Sequence, residues 1–330
     1  MGKVIGLTYD LEKDYIFKEA DPLDANAEFD TEEIIQNIVS SLERLGHQVI
    51  RIGGFRNLLK NLTALKVDIV FNLAENLYGR NRESQVPMIL EYLGIPYVGS
   101  DALTLGLALD KLLTKKILIS EGIPTPRFFV VDKGYNLNEL NNLSFPLFVK
   151  PRWEGSSKGI TYNSYVETKE ELQKQIDLIN SIYKQPALIE EFIKGKEFTV
   201  AMIGNKEVEI LPILQVKING SIDLGNKFYV YDYVYSDELQ YVCPAVIDDL
   251  LKDKLKDLAL RTYRALECKD FGRVDIRVDE QNNPYVLEIN PLPSLSKADA
   301  YGVIAKYWGI DYSRMLKKIL DAALKRYEIG

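Results

Sequence analysis

Residues 272–290 read GRVDIRVDEQNNPYVLEIN and predict a β-hairpin, because two alternating stretches flank a polar turn at residues 280–283. Side chains alternate between the two faces of a strand, so the turn sets the register. If Asp279 opposes Pro284, the same face carries three further pairs: Arg277 with Val286, Asp275 with Glu288, and Arg273 with Asn290. The other face is predicted to be core and consists of Val274, Ile276, Val278, Tyr285, Leu287 and Ile289.

The polar face of this hairpin predicts a metal site. Asp275 and Glu288 would lie directly opposite each other, which is unfavourable unless a positive charge lies between them. Carboxylate and amide oxygens suit Mg²⁺, so Asp275, Glu288 and Asn290 are the candidate ligands of a metal shared with nucleotide phosphates, with Mn²⁺ as the alternative. Arg273 would stabilise negative charge that develops in a reaction. The competing interpretation is a solvated face neutralised by Arg273 and Arg277.

A second segment, FPLFVKPRWEGSSKGI at residues 145–160, is typical of a phosphate-binding loop. Lys150 ends a predicted strand, and Gly155, Ser156, Ser157 and Gly159 follow it. Glycines let backbone N–H groups approach phosphate, and hydroxyls and lysine add donors. The spacing is not that of a Walker A loop. A flexible surface turn uses the same residue types and is the alternative.

The order of predicted elements indicates an α/β fold, α+β in parts, with three domains. Residues 1–101 alternate strands with helices, which favours a doubly wound parallel sheet: strands 3–8, 47–52, 67–71 and 95–98, helix 30–45. A helix at 105–120 leads into a small α+β domain, 102–187, with strands 128–131, 145–149 and 187–192 and helix 169–183. Residues 188–330 predict an antiparallel-sheet domain with strands 198–203 and 208–216, helix 248–268, the hairpin and helix 314–327.

Composition excludes several classes of protein. The 330 residues are 46% hydrophobic and 27% charged, which is typical of a globular protein. A net charge of −7 argues against nucleic-acid binding. The two cysteines form no zinc motif and favour a reducing compartment, and no apolar run is long enough to cross a membrane. We expect a cytoplasmic enzyme. The single histidine, His47, lies at a helix-to-strand junction and is not a candidate catalytic base.

Seven segments in order resemble one family: LDKLLTKKIL, FVKPRWEGSSKGI, LIEEFIKGKEFTV, ILPI, SDELQYVCPA, FGRVDIRVD and YVLEINPLP. They are similar to the ATP-grasp fold and specifically to D-alanine–D-alanine ligases, and the resemblance covers residues 95–290. It implies a three-domain ligase in which ATP phosphorylates a carboxylate and an amine attacks the acyl phosphate to form an amide. It also implies small amino acid or peptide substrates and is compatible with a homodimer.

The resemblance implies a role for each matching residue. Asp275, Glu288 and Asn290 match the metal ligands, and Arg273 matches the residue that steadies the acyl phosphate. Ser156 and Ser157 match the loop that closes over the γ-phosphate. The predicted nucleotide contacts are Lys111 and Lys150 at the phosphates, Glu190, Glu191, Phe192, Ile193 and Leu287 around the adenine, and Glu197 at the ribose.

The sequence departs from the family where the substrates would bind. TYDLEKDYIFKEADPLD lacks the family's glycines, and Glu12 is one replacement for its amine-binding acid. Tyr233 or Lys227 stands in for a loop lysine, and Asp299 for a serine that binds the acceptor's carboxylate. We therefore expect a ligase for amino acids or peptides other than the D-alanine pair. The alternatives are a D-alanine–D-alanine ligase and an ATP-binding module without ligase activity.

Overall fold

Three β-sheets follow one another along the chain in the computed structural model, which describes residues 2–134, 143–230 and 238–330. Their order confirms the predicted α/β fold with an antiparallel sheet in its C-terminal part. Across the described residues, no helix combines the length and the apolar character needed to cross a membrane.

The first sheet is parallel, with strand order β2-β1-β3-β4. Its strands are β1 (Val4–Thr8), β2 (Gln48–Arg51), β3 (Ile69–Asn72) and β4 (Tyr97–Val98). The associated helices are α1 (Glu32–Arg44), α2 (Phe55–Asn61) and α3 (Gln85–Leu93). Thr31 begins α1 by accepting a hydrogen bond from the Ile34 amide, and the acidic first turn favours the same end. Helices α2 and α3 were not predicted.

The helix predicted at residues 105–120 is wrong, because the structure has two helices, α4 (Ala102–Leu109) and α5 (Lys111–Ser120). Asp110 separates them with an extended backbone, φ −83° and ψ 91°. Its carboxylate accepts from the Leu113 amide and forms two 2.7 Å hydrogen bonds with Arg152. The break therefore places Lys111 at the first position of a capped helix.

The second sheet is antiparallel and has the order β5-β8-β6-β7. Its strands are β5 (Phe128–Val131), β6 (Leu147–Pro151), β7 (Tyr165–Val166) and β8 (Ala187–Glu191). Helix α6 (Lys169–Leu178) covers it and ends in a π-helical turn, Ile179–Tyr183. Since β8 belongs to this sheet, we propose that the domain boundary predicted after residue 187 lies after Glu191.

The third sheet carries β12-β11-β9-β13-β14, with β10 paired to β9, and is antiparallel throughout. Its strands are β9 (Lys196–Gly204), β10 (Val208–Ile210), β11 (Leu214–Ile218), β12 (Leu239–Val242), β13 (Phe271–Val278) and β14 (Pro284–Asn290). The single strand predicted at 208–216 is thus two strands. Helix α7 (Asp249–Ala265) packs on one face, and α8 (Ala300–Tyr307) and α9 (Tyr312–Arg326) join the other face to the first sheet.

The hairpin register is confirmed at its functional end and wrong near its turn. Arg273 pairs with Asn290 and Asp275 with Glu288, but a β-bulge follows Asp275. Arg277 consequently pairs with Tyr285 instead of Val286, and the turn spans residues 279–283. Val286 therefore replaces Tyr285 in the core, where it is fully buried, and Leu287 faces the adjoining cavity.

Candidate functional site

The residues predicted to bind the nucleotide or the metal, or to act in catalysis, line one cavity of about 530 Å³. The walls come from the N-terminal loops, the second sheet and the third sheet. The predicted residues brought together are Lys111, Lys150, Ser156, Ser157, Glu190, Glu191, Phe192, Ile193, Glu197, Arg273, Asp275, Leu287, Glu288 and Asn290. Strands β13 and β14, the loop that follows β6 and the end of β8 thus face the same cavity, as the motif order implied.

The carboxylates of β13 and β14 form a fixed acidic face. Thr199 Oγ1 donates to Asp275 Oδ1 at 2.7 Å, and Asn290 Nδ2 donates to Asp275 Oδ2 at 2.9 Å. This contact leaves the amide oxygen of Asn290 as its available ligand atom. Burial raises the pKa of Asp275 even though Arg273 opposes the shift. For Glu288, burial is outweighed by Lys111 and Lys150, and the pKa falls to about 2. Glu288 therefore stays ionised at neutral pH.

Two lysines meet the carboxylate of Glu190 at the end of β8. Lys150 Nζ lies 2.8 Å from Glu190 Oε2, and Lys115 forms an ion pair with the other oxygen. Burial lowers the pKa of Lys115 although Glu190 acts in the opposite direction. Lys115 was missed, because on α5 it occupies an unremarkable helical position. The carboxylate of Glu190 thus positions Lys150 beside Glu288.

The phosphate-loop candidate has a strained backbone and hydrogen-bonded amides. Ser156 and Ser157 both have left-handed conformations, φ 44° and 58°, which cost free energy for residues other than glycine. The Gly155 amide donates to Glu28 Oε1 and the Gly159 amide to Asp24 Oδ2, each at 2.6 Å. Both amides thus donate to anionic oxygen atoms of the N-terminal segment, and these contacts fix the two ends of the loop that carries Ser156 and Ser157.

The apolar end of the cavity is built from aromatic rings. The ring centroids of Phe148 and Phe192 lie 6.0 Å apart, and the ring of Phe228 packs edge-on against that of Phe148 with a centroid distance of 4.9 Å. Arg277 lies 4.8 Å over the Phe192 ring and 3.4 Å from Glu197. Burial raises the pKa of Glu197 in spite of Arg277. Arg277 therefore pairs with Glu197 and not with Asp275 or Glu288, so the solvated-face interpretation is wrong about Arg277, whereas Arg273 does lie beside Asp275.

Arg273 is engaged by carboxylates on two sides. Its Nη1 donates to Asp299 Oδ1 at 2.9 Å, and its Nε lies 3.7 Å from Asp275 Oδ2. Asp299 also caps α8 by accepting from the Ala300 amide. The side chain of Asp299 thus occupies one donor of Arg273 inside the cavity.

Sequence reasoning missed an acidic group at the other end of the cavity: Glu28, Asp30, Glu75 and Glu83. Burial, with Asp10 and Glu12 adding to it, raises the pKa of Asp30 to about 7. Glu12, the candidate replacement for the family's amine-binding acid, also lines the cavity. Glu28 and Asp30 lie in AEFDTEE at the start of α1, which also fits a helix N-terminus. Glu75 and Glu83 lie in NLAENLYGRNRES, residues 72–84, a segment that differs from the His-Gly loop of the family that the sequence resembles. Two residues were candidates for the place of the family's loop lysine. The backbone carbonyl of Lys227 accepts a hydrogen bond from Arg277 at 3.0 Å, and Tyr233 lies outside the described residues.

Comparisons with known proteins show similarity to one family over most of the chain. Residues 117–321 match the family model described as D-ala D-ala ligase C-terminus. The chain is 37% identical over 302 residues to the uncharacterized protein y4sG of Sinorhizobium fredii, covering 89% of this chain and 88% of that protein. It is 34% identical over 297 residues to a D-alanine–D-alanine ligase of Carboxydothermus hydrogenoformans, covering 87% and 91%. A D-alanine–D-alanine ligase of Bacillus anthracis complexed with ATP matches with a TM-score of 0.78 and 26% identity over all of both chains.

Proposed function

Because the chain belongs to the D-alanine–D-alanine ligase family of ATP-grasp enzymes, we propose that the cavity lined by its second and third sheets is the active site. The protein is an ATP-dependent, ADP-forming carboxylate–amine ligase, as its motif order predicted. One observation supports the site above all: the acidic face of Asp275, Glu288 and Asn290 lies opposite Lys111, 3.3 Å from Glu288, in the same cavity as the Ser156–Ser157 loop.

In this proposal each wall of the cavity binds one part of ATP. Lys111, Lys150 and the two serines contact the phosphates. The backbone of β8 at Glu191 and the following Phe192 and Ile193 meets the adenine, with Leu287 beneath it. The carboxylate of Glu197 accepts hydrogen bonds from the ribose hydroxyls. The aromatic rings of this end exclude water from the base, which favours stacking.

The acidic face fits Mg²⁺, with Mn²⁺ as the alternative. Asp275 and Glu288 supply carboxylate oxygens, and Asn290 supplies its amide oxygen, which is the donor set that hard divalent cations prefer. Bound there, the ion would neutralise phosphate charge. Neighbouring residues orient the two carboxylates: Thr199 donates a hydrogen bond to Asp275, and Lys111 forms an ion pair with Glu288.

The ligase reaction needs groups that stabilise negative charge. The γ-phosphoryl group passes to an oxygen of the substrate carboxylate as ADP leaves, giving an acyl phosphate. The amine then attacks the acyl carbon, the bond from carbon to the phosphate oxygen breaks, and the amine loses a proton. Arg273 would stabilise the charge on the tetrahedral intermediate, and the loop of Ser156 and Ser157 would hold the transferred phosphoryl group.

The acceptor is proposed to differ from D-alanine. Asp299 lies 2.9 Å from Arg273, so a substrate carboxylate approaching Arg273 would meet a negative side chain. A D-alanine–D-alanine ligase is the second candidate, supported by the names of the curated relatives. We further propose that the protein forms a homodimer and lies in the cytoplasm. The molar mass in solution, measured by light scattering, tests the homodimer.

The test is amino-acid-dependent ADP release, screened over pairs of amino acids and dipeptides with mass detection of the amide. We expect release to require two substrates and a product other than D-alanyl-D-alanine. Efficient dipeptide formation from D-alanine alone would establish the second candidate instead. ADP release without any amide would contradict both.

A further inference from the structure

The acidic pocket, which we define as Glu28, Glu75 and Glu83, lies at the end of the cavity formed by the N-terminal loops. One carboxylate oxygen from each residue lies within 4.8 Å of the others. Like charges at this distance repel strongly where water is scarce. The arrangement therefore needs either protons or a bound cation.

The neighbouring cations are engaged elsewhere. Arg82 Nη2 contacts Glu28 at 2.5 Å and Glu154 at 3.1 Å, and Arg82 Nη1 donates to the Trp153 carbonyl. Lys158 lies 3.1 Å from Glu154 and 3.9 Å from Glu28. Lys111, whose charge also acts on Glu83, lies 3.3 Å from Glu288. Arg82 and Lys158 thus match Glu28 and Glu154. Glu75 and Glu83 remain in surplus.

Glu83 is the informative residue of the acidic pocket. It is 7% exposed and lines the cavity, yet among the described residues its carboxylate has no hydrogen bond and no ion pair. Burial, only partly opposed by Arg82, raises the pKa of Glu83 to about 7. Burial and the Glu83 charge raise the pKa of Glu75 as well. A buried polar group left without a partner is costly, and such groups are commonly completed by a ligand.

We propose that the acidic pocket binds the side-chain cation of a basic substrate, a diamino or guanidino amino acid. This inference rests on the proposed ligase function and names its substrate class. Asp30 lines the same end of the cavity and forms no ion pair with the rest of the described chain, so it is available for the α-ammonium group. A neutral amino acid brings one positive charge, the ammonium group that Asp30 would bind. A basic amino acid brings a second, which would lie between Glu75 and Glu83 while one of these two carboxyls keeps its proton.

A metal ion is the less favourable occupant. Glu28 already accepts from Arg82 and from the Gly155 amide. A divalent cation bound to Glu28 would lie against the Arg82 guanidinium, and two cations repel as two carboxylates do. An ammonium or guanidinium group can instead reach Glu75 and Glu83 as a hydrogen-bond donor.

The experiment measures binding by calorimetry with a non-hydrolysable ATP analogue and Mg²⁺ present. The probes are ornithine, lysine and arginine in both chiral forms, with norleucine as the neutral amino acid that has lysine's carbon skeleton without its ammonium group. We expect at least one basic amino acid to bind about tenfold or more tightly than norleucine. Glu83→Gln and Glu75→Gln should each remove this preference and leave the affinity for the analogue unchanged. Glu33→Gln, an exposed site on α1, is the matched control and should change neither.

Three results would overturn the inference. One is equal binding of norleucine and every basic probe, and another is a preference that survives both variants. The third is a Mn²⁺ site, detected without amino acid, that is lost in Glu83→Gln and kept in Glu33→Gln. Failure of the ATP analogue to bind the wild type would instead count against the proposed function, so the two failures are distinguishable.

Discussion

Glu288 interacts with more charged side chains of the hairpin and the cavity wall than its position in the sequence suggests: Asp275, Lys111, Lys150 and Arg273. It faces Asp275 across the hairpin, and Lys111 and Lys150 outweigh its burial so that it stays ionised. The alternation of residues 272–290 predicted this pairing, because a period of two leaves few registers that keep the apolar side chains on one face. The acidic pocket was beyond such reasoning, since its residues come from two loops that carry no periodic pattern.

Glu288→Gln should reduce ADP formation at least about a hundredfold, because an amide oxygen is a weaker ligand and lacks the charge that metal and Lys111 both need. Steady-state ADP release at saturating ATP and Mg²⁺ measures the effect. Glu280→Gln, in the exposed turn of the same hairpin, is the control and should keep wild-type turnover. Full activity of Glu288→Gln would contradict the proposed metal site.

Asp299→Ser should change which acceptor is used. Serine is as good a helix cap as aspartate, so α8 keeps its N-terminus while Arg273 loses its 2.9 Å hydrogen bond to Asp299 and keeps only the more distant Asp275. We expect the KM for acceptors with a free carboxylate, D-alanine included, to fall about tenfold or more.

Asp311→Ser is the matched control for that variant, since Asp311 caps α9 and does not line the cavity. It should leave the KM of every acceptor unchanged. If Asp299→Ser behaves like Asp311→Ser, the Arg273–Asp299 pair has no part in acceptor choice.

At the scale of elements, the hairpin shows what a local pattern cannot reveal. The bulge after Asp275 is fixed from outside: the Val286 amide donates to the Pro124 carbonyl, and Thr125 Oγ1 donates to the Val286 carbonyl, both at 2.8 Å. Residues 124 and 125 follow α5, far away in sequence. The predicted pairing of Arg277 with Val286 failed because this long-range contact takes the hydrogen bonds that a regular ladder would use.

The break between α4 and α5 gives a prediction at the same scale. Asp110 is fully buried and holds Arg152, Trp153 and the first turn of α5. Asp110→Ala should lower the free energy of unfolding by about 3–5 kcal/mol, because it leaves Arg152 without its partner. It should also raise the KM for ATP by displacing Lys111. Urea denaturation and steady-state kinetics measure the two effects.

Asp101→Ala provides the comparison, since Asp101 caps α4 through the Thr104 amide. Loss of that cap should cost about 1 kcal/mol and leave the KM for ATP unchanged. Equal destabilisation by the two variants would show that Asp110 acts as a cap alone.

On the scale of the whole molecule, strand and helix alternation together with motif order predicted the three sheets, because those signals are local and recur along the chain. The way the sheets close on one another was not predictable. Glu28 and Asp24 from the N-terminal segment hold the amides of the Gly155–Gly159 loop, and Tyr183 donates to Asp24 at 3.0 Å. These contacts join parts of the chain that no sequence pattern relates, and they enclose the cavity in which we place the reaction.

In the proposed reaction, the enzyme activates a carboxylate by phosphorylation before an amine attacks it. The direct measurement uses a carboxylate substrate with both oxygens labelled with ¹⁸O and follows the label by mass spectrometry. Each inorganic phosphate released should carry one ¹⁸O from the substrate, and the amide should keep the other. Unlabelled phosphate, formed by attack of water on ATP, would contradict it.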